Sequence, residues 1–528
     1  MSSTFIPPLR PASAALLVLL AALLTLPWLN PFALGPSPNA QPLLLTWACV
    51  ALALGVVAVG RVRVATLWQA AAWAWVAAAA LSSALGLLQF AGLATDLAPW
   101  VNQPDPGTVY ANLRQRNQFA TLCAMGLAAL VWRDARGGAE GVRAAGFWSG
   151  LLAAWVGLGL GLSGSRTGLL ELLTLWALAL MWHLASPLPR APSRVWRVLC
   201  LGTVGYVLAA YLLPQWSGDG GLTVFDRLWE GDAQCASRRT LWANVWQMVM
   251  QKPWLGWGWD ELAYAQFMTP IEGPRFCDLL DNAHNLPLHL AASFGLPFAI
   301  AATLLTVLVL WRAAPWRATA PDMRLAWAVL GVIGLHSVLE YPLWYGPFQL
   351  AALLALLRLA GPQASQLVLG SRIARWGGGM VALAVLALCV VVVQSYARVS
   401  NLYSVAAVRA AVFDPFAALQ EHDVFLFVDE VAFSRLAVPL HSANAQEQYA
   451  LAEDLLHYSP EPRVIERLLE SAEFLGRSSA LAFYKARYAQ AFPERFIEWL
   501  AMEPHVPPEA AQAVSGSQAH APASGMQP

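Results

Sequence analysis

The sequence predicts an all-α fold: a polytopic helical membrane protein of about 11 transmembrane helices, followed by a C-terminal α-helical domain. Three observations carry that prediction. Hydrophobic residues fill 58% of the 528 positions and charged residues 12%, where a soluble chain carries about 25% charged residues. Apolar runs of membrane length recur along the first three quarters of the chain. The arginines between those runs alternate in density, as the positive-inside rule requires.

A spanning helix needs about 20 mostly apolar residues. The candidate spans are 13–30, 42–60, 64–91, 118–132, 145–162, 167–185, 196–214, 285–311, 325–340, 344–359 and 375–396. Arg10 followed by the run 13–29 resembles a signal peptide. Because further spans follow, it reads as an uncleaved first membrane helix. With the N-terminus in the cytoplasm, the cytoplasmic segments hold Arg10; Arg61 and Arg63; Arg133, Arg136 and Arg143; Arg190, Arg194 and Arg197; Arg312, Arg317 and Arg324; and Arg358, Arg372 and Arg375. The opposite loops 31–41 and 341–343 hold none. This orientation puts the C-terminal domain outside, in the periplasm of a Gram-negative cell, with the protein in the inner membrane.

The formal net charge is zero, which removes any bulk basic signal for nucleic acid. The zero hides an asymmetry. From Arg398 onward the chain holds 16 acidic against 9 basic residues, so the part before it is positive. Several of its arginines break the positive-inside pattern: Arg114, Arg116, Arg166, Arg227, Arg238, Arg239 and Arg275, with Lys252, fall on the outer side. One at a time, helix capping, carboxylate pairing or solvation explains each. Together they suggest an anion site.

Four outer tracts hold the polar chemistry. The first, Asn112-Leu113-Arg114-Gln115-Arg116-Asn117-Gln118, precedes an apolar helix. Arginines there bind phosphate oxygens, and the amides bind sugar hydroxyls. The second, Ser163-Gly164-Ser165-Arg166-Thr167-Gly168, joins two apolar helices by a tight turn whose helix start offers free N–H groups to an anion.

The third is the loop 215–284. It carries seven tryptophans: Trp216, Trp229, Trp242, Trp246, Trp254, Trp257 and Trp259. Residues 238–251 place Leu241, Val245 and Met248 on one stripe and Thr240, Asn244, Gln247 and Gln251 on another, the pattern of an amphipathic helix at headgroup level. Arg238 and Arg239 sit at its start, and Trp257 sits between two glycines at a turn. Cys235 and Cys277 share this loop and can be bridged if it lies in an oxidising compartment. The loop ends in Asp281-Asn282-Ala283-His284-Asn285. An imidazole there can take a proton from a hydroxyl near neutral pH.

The fourth tract is His336, Glu340, Tyr341 and Pro342. His336 and Glu340, one turn apart, are either a buried pair joining two helices or direct contributors. Glu171 is the other acid well inside a span, and so few midplane acids argue against a proton-coupled transporter. No C-x-x-C or H-E-x-x-H spacing for a metal occurs.

These pieces resemble the O-antigen ligase superfamily. The resemblance rests on Arg239-x-x-Trp242, Lys252-Pro253-Trp254-Leu255-Gly256-Trp257-Gly258, and His284-Asn285-x-x-Leu288 with Gly295-Leu296-Pro297. The Asn112–Gln118 tract and Glu340-Tyr341-Pro342-Leu343 resemble the bacterial protein O-oligosaccharyltransferases of the pilin-glycosylation type. The resemblance implies glycan transfer on the periplasmic face, from undecaprenyl diphosphate to a Ser or Thr hydroxyl of an exported protein, without metal or other cofactor. In that scheme His284 is the base. Arg166, Arg239, Arg238, Arg114 and Arg116 neutralise the diphosphate. Asn112, Gln115, Asn117, Gln118, Trp257, Asn285, Glu340 and Tyr341 contact glycan or acceptor. A lipid A-core O-antigen ligase, a glycan polymerase and a lipid-linked-sugar transporter are the competing readings.

Beyond the membrane part, residues 397–504 carry shorter amphipathic patterns, with Leu451, Leu455 and Leu456, then Val464, Leu468 and Leu469. Ala480–Tyr484 with Tyr488 and Phe492-Pro493 looks like a tetratricopeptide-type helix end, although no 34-residue period is clear. Residues 505–528 read as a disordered tail.

Overall fold

The structure is a computed structural model that describes residues 14–33, 35–60, 62–105, 107–136, 142–185, 193–212, 234–361, 372–403 and 426–502. The expected tail 505–528, Arg10, Arg61, Arg190, Arg227, Trp216 and Trp229 lie outside the described residues. Every regular element among the described residues is helical. The chain divides into two compact units, one of residues 1–231 with 306–394 and one of residues 232–305 with 395–528. The divisions at 305 and 394 fall inside helices.

The first unit begins with α1 (Ala14–Thr25), α2 (Ala40–Gly60), α3 (Val64–Phe90), α4 (Arg116–Arg136), α5 (Val142–Leu162), α6 (Arg166–Leu184) and α7 (Ser193–Val207). A π-helical turn, Leu208–Leu212, extends α7. The helix α4 is the centre: every residue from Gln118 to Leu130 is buried, and α3, α5, α6 and α7 pack against it. The helix α12 (Pro321–Leu339) also packs on α4, and α13 (Gly346–Leu359) packs on α12. Small residues let α5 and α7 approach closely, the usual device where apolar helices meet. A Cβ on Gly157 would fall 1.9 Å from the carbonyl oxygen of Gly202. At the C-terminal end of α4, Asp322 accepts from Trp132 Nε1 (2.7 Å) and pairs with Arg136 (3.1 Å) and Arg358 (2.8 Å). That carboxylate thereby ties α4, α12 and α13 together.

The second unit contains α8 (Arg238–Gln251), α9 (Leu262–Met268), α10 (Leu286–Phe294) and the start of α11 (Leu296–Ala313). It also contains the end of α14 (Arg372–Leu402), and then α15 (Val428–Arg435), α16 (Ala445–Tyr458), α17 (Pro462–Phe474), α18 (Ser478–Ala491) and α19 (Pro493–Ala501). From α15 to α19 each described helix packs on the next, and α17 takes α16 and α18 on its two sides. Their core of Leu455, Leu468, Leu469, Tyr488 and Trp499 includes Phe267 of α9. The loop between the seventh and eighth expected spans is therefore joined to the C-terminal helices in one unit.

Helices run through the described part of each of the 11 expected spans, but six are long and apolar enough by composition to cross a membrane among the described residues: Ala40–Gly60, Val64–Phe90, Arg166–Leu184, Leu296–Arg317, Pro321–Leu339 and Arg375–Leu402. Ala14–Leu29, Gly146–Leu162 and Gly346–Leu359 are shorter apolar helices. The expected continuous span 285–311 is corrected. It breaks at Gly295, whose φ of +87° ends α10 before α11 begins.

That break has a partner. The stretch 252–258 runs backbone to backbone along the end of α10: Trp257 N donates to Ala292 O (2.8 Å), Gly258 N to Ser293 O (3.1 Å) and Leu296 N to Pro253 O (2.8 Å). Each side of this clamp needs a glycine. A Cβ on Gly256 (φ +71°) would lie 2.4 Å from Ser293 C, and one on Gly295 would lie 2.2 Å from Trp254 O. The two glycine motifs of the sequence are thus the two halves of one close contact. Replacing Gly295 with alanine costs about 1–3 kcal/mol in backbone strain alone. The expected outcome for G295A is a lower midpoint in thermal unfolding of the detergent-solubilised protein, with G256A behaving alike.

Candidate active site

The residues singled out in the sequence divide between the units. Of the residues given a site role, Cys235, Arg238, Arg239, Trp257, Cys277, His284 and Asn285 are in the second unit, and Asn112, Arg114, Gln115, Arg116, Asn117, Gln118, Arg166, Glu340 and Tyr341 are in the first.

In the second unit, α8 forms over the residues expected, but its faces are used differently. Leu241, Val245, Met248 and Val249 are buried with Leu280, Ala283, Ala291 and Ala292. Asn244, expected on a polar face, is buried: its Nδ2 donates to Pro274 O (2.9 Å) and its Oδ1 accepts from Phe276 N (2.8 Å). The start of α8 is capped by Ser237, which accepts from Thr240 N (3.2 Å). Immediately before it, Cys235 and Cys277 form a disulfide with Cα atoms 5.2 Å apart, within the usual range. Three ties, the disulfide, Asn244 and the apolar cluster, therefore fix the segment 274–283 to α8. Arg239 is exposed and Arg238 is half-buried at the α8 start.

His284 leaves that segment in a left-handed conformation, φ +49°. Its N–H donates to Asn282 Oδ1 (3.0 Å), and its side chain is half-buried. A non-glycine residue in this region stores strain and persists where neighbours over-determine it. The neighbours are Asn282 and Ala283, both buried, and Asn285, whose Oδ1 caps α10 by accepting from Leu288 N (3.1 Å). Asp281 keeps an edge in solvent. The chain around it still desolvates its carboxyl and pushes the pKa up, while His284 beside it pulls the pKa back down.

Two residues of this unit expected to contact glycan or acceptor also hold the fold. The Oδ1 of Asn285 is committed to the helix cap, which needs an acceptor at that position. Trp257 is no aromatic at a loop tip. Its Nε1 donates to Met248 O (2.8 Å) and Lys252 Nζ lies 4.0 Å over its ring, so it pins the clamp to α8. The exposed side chains are Trp254 (76%), Leu255 (86%) and Trp259 (55%). Beside Asn285 opens an almost wholly apolar groove of about 370 Å³, lined by Trp246, Pro287, Leu288, Leu296, Ile300 and Leu304 among others.

In the first unit, a carboxylate organises the polar tracts. Glu340 follows α12, is 5% exposed, and accepts from Gln115 Nε2 (3.2 Å) and Asn117 Nδ2 (3.0 Å). Asn117 Oδ1 in turn accepts from Ser165 Oγ (2.6 Å), and Ser165 caps α6 by accepting from Gly168 N (2.9 Å). Arg166 is the first residue of α6 and is half-buried. Three sequence tracts, Asn112–Gln118, Ser163–Gly168 and Glu340–Pro342, thus meet around one carboxylate. Tyr341 stacks on Tyr345, ring centroids 5.9 Å apart.

The remaining first-unit residues serve the loop. Asn112, expected to bind glycan or acceptor, is buried: its Nδ2 donates to Leu29 O (3.0 Å) and Trp100 O (2.9 Å), and its Oδ1 accepts from Asn102 N (3.0 Å). Its amide capacity is used inside the protein. Gln118 is 2% exposed within α4 and is likewise enclosed. Arg114 (φ +62°) donates to Pro31 O (2.6 Å), and burial pulls its guanidinium pKa down. Arg116 donates to Thr108 Oγ1 (2.9 Å).

Gln89 was missed in the sequence. Its amide holds the same loop through Asn102 O, Ala111 O, Tyr110 N and Ala111 N. A glutamine at the end of an apolar span is the signal that could have found it. Thr121 was missed too, since nothing in an apolar run marks one threonine.

Comparison with known proteins now bears on these motifs. The family described as O-Antigen ligase matches residues 151–302, which carry the Ser165 turn, the clamp and His284. Over those residues the chain is similar to the O-antigen ligase family. Residues 109–133 match a family described as Protein glycosylation ligase, and residues 324–506 one described as Virulence factor membrane-bound polymerase, C-terminal. A general O-oligosaccharyltransferase of Acinetobacter baylyi (strain ATCC 33305 / BD413 / ADP1) is 23% identical over 286 residues. That match covers 52% of this chain and 47% of the relative, so the chain spans about half of the relative's length. The two ligase families are of the glycosyltransferase kind, and the apolar helices agree with a membrane-integral protein.

Two outcomes test this geometry. Ser165→Ala removes both the α6 cap and the Asn117 contact and lowers stability by about 1 kcal/mol or more, measured as a shift in unfolding midpoint. On non-reducing maleimide labelling of the unfolded protein, Cys235 and Cys277 stay unlabelled until a reductant is added, while Cys49 and Cys123 label at once.

Proposed function

We propose that this protein is an O-oligosaccharyltransferase that moves a glycan from undecaprenyl diphosphate to a Ser or Thr hydroxyl of an exported protein such as a pilin. The reaction belongs on the periplasmic face of the inner membrane. The observation that carries the reading is the held His284: its backbone, in a left-handed conformation, is fixed between a buried asparagine and a helix cap, within the segment tied to α8, the helix that begins with Arg238 and Arg239.

In the proposed step the acceptor hydroxyl oxygen attacks the anomeric carbon. The new C–O bond forms as the bond from that carbon to the diphosphate oxygen breaks. The hydroxyl proton passes to His284, and the leaving diphosphate keeps the bonding electron pair. Direct displacement inverts the anomeric configuration. Arg238 and Arg239 neutralise the charge that builds on the diphosphate. Arg114, Arg116 and Arg166 are assigned as further anion ligands, and Gln115, Asn117, Glu340 and Tyr341 as contacts for glycan or acceptor.

Two features support the location and donor. A disulfide at Cys235–Cys277 suits an oxidising compartment. The apolar groove beside Asn285 suits a lipid chain entering next to the base. The name of the Acinetobacter relative supports an O-linked acceptor. A glycan polymerase is the second reading, favoured by the match over 324–506.

The test is intact-mass analysis of exported proteins with and without this gene. Loss of a glycan from a pilin-like protein supports the proposal. A change confined to lipopolysaccharide or polymer length sinks it in favour of ligase or polymerase. His284→Ala is expected to lower transfer by about 10²–10⁴-fold, and wild-type transfer by that variant would remove His284 as the base. Arg239→Ala lowers it by about 10²-fold or more, while Arg239→Lys recovers part of the rate.

A further inference from the structure

Thr121 lies one turn inside α4, completely buried, and its hydroxyl meets three groups. Its Oγ1 is 2.9 Å from Asn117 O, 2.5 Å from Glu171 Oε1 and 2.7 Å from His336 Nδ1. A hydroxyl has one proton to donate and two lone pairs. The carbonyl of Asn117 can only accept. If Thr121 donates to that carbonyl, both Glu171 and His336 must donate to Thr121. If it donates to one of those two side chains, the other must donate to it. In no arrangement are both Glu171 ionised and His336 Nδ1 bare.

Burial narrows the choice. Glu171 and His336 are both 0% exposed. The second oxygen of Glu171, Oε2, meets no hydrogen-bond partner among the described residues. A carboxylate anion enclosed this way would keep a full charge with one partner. A neutral carboxylic acid that donates through one oxygen leaves only a carbonyl-type oxygen unmatched, at far smaller cost.

The triad also stands in a particular place. Thr121 is on α4, Glu171 on α6 and His336 on α12, and these three helices pack on one another. One to two turns away, on α4 and at the ends of α6 and α12, are Asn117, Ser165 and Glu340, the residues that meet around the Glu340 carboxylate. The links are direct: Thr121 bonds the carbonyl of Asn117, and Glu340 N donates to His336 O (2.7 Å).

We propose that Glu171 is held as a neutral acid donating its proton to Thr121, and that Glu171, Thr121 and His336 are positioning residues that set the Asn117–Glu340–Ser165 cluster for glycan or acceptor. The protonation half stands on geometry alone. The positioning half rests on the transferase reading.

The experiment has two arms on the full chain in detergent or nanodiscs. Infrared difference spectra between wild type and Glu171→Gln report a protonated-carboxyl C=O band lost in the variant, whether or not the protein is active. If only an ionised-carboxylate band is lost, the neutral acid is overturned. The second arm is transfer kinetics. Thr121→Val raises the KM for donor or acceptor by about tenfold or more, with kcat changed less. Thr121→Ser and Glu171→Gln, which keep the hydroxyl and a neutral donor, stay within about threefold of wild type. Elution profiles confirm that each variant is folded, and the near-isosteric Glu171→Gln and Thr121→Ser keep the test decisive if Thr121→Val is not. Unchanged kinetics in Thr121→Val, or equal losses in Thr121→Val and Thr121→Ser, overturn the positioning role. A wild type that transfers nothing overturns the transferase reading itself and the positioning role with it, while the infrared spectra still decide whether Glu171 carries a proton.

Discussion

The burial of α4 is the constraint on which the first unit depends. A helix surrounded by five others offers little water to its polar side chains, so a partner on a neighbour lowers the cost of burying them. Two polar residues of its first turns find such partners on α6 and α12 or at their ends. Asn117 bridges Ser165 and Glu340, and Thr121 bridges Glu171 and His336. Partners so enclosed are costly to leave unmatched, and this fixes the rotation of three helices together. The carboxylate of Glu340 is consequently not a loose surface charge. It is the acceptor that holds two amides of the Asn112–Gln118 tract at the end of the bundle.

The second unit solves a related problem with backbone in place of side chains. A span broken at Gly295 exposes peptide groups at the end of α10. The stretch 252–258 satisfies them by running alongside, and only glycines at 256 and 295 let the two chains come that close. The clamp, the disulfide and the α8 cluster all converge on the segment that ends in His284. Strain at His284 is tolerable because that segment has little freedom left. A backbone held in this way loses little entropy when its side chain meets a ligand, which is what preorganisation means.

Much of this was legible in the sequence for identifiable reasons. Apolar runs, capping serines and glycine-rich turns act locally, so α8 appears over 238–251 and α6 begins at Arg166 behind Ser165. Errors arose where tertiary contacts reassign a side chain. Asn112 and Gln118 carry the same amides as Gln115 and Asn117, yet the first two are enclosed and the second two reach Glu340. Trp257 looks like Trp254 in a string of letters, but its indole N–H is taken by Met248 O and it is half-buried against the α8 cluster. The break at Gly295 was hidden because a glycine inside an apolar run is common in membrane helices.

The sequence by itself determined that the chain is helical and apolar, where its polar tracts lie, and that a histidine at position 284 ends the longest of its polar loops. Those properties follow from composition and short-range pattern. Only the tertiary structure decided which polar groups are spent on holding the fold and which stay available. Hydrogen-bond capacity is finite, and its allocation depends on neighbours hundreds of residues away: 223 positions separate Asn117 from Glu340, and 215 separate Thr121 from His336.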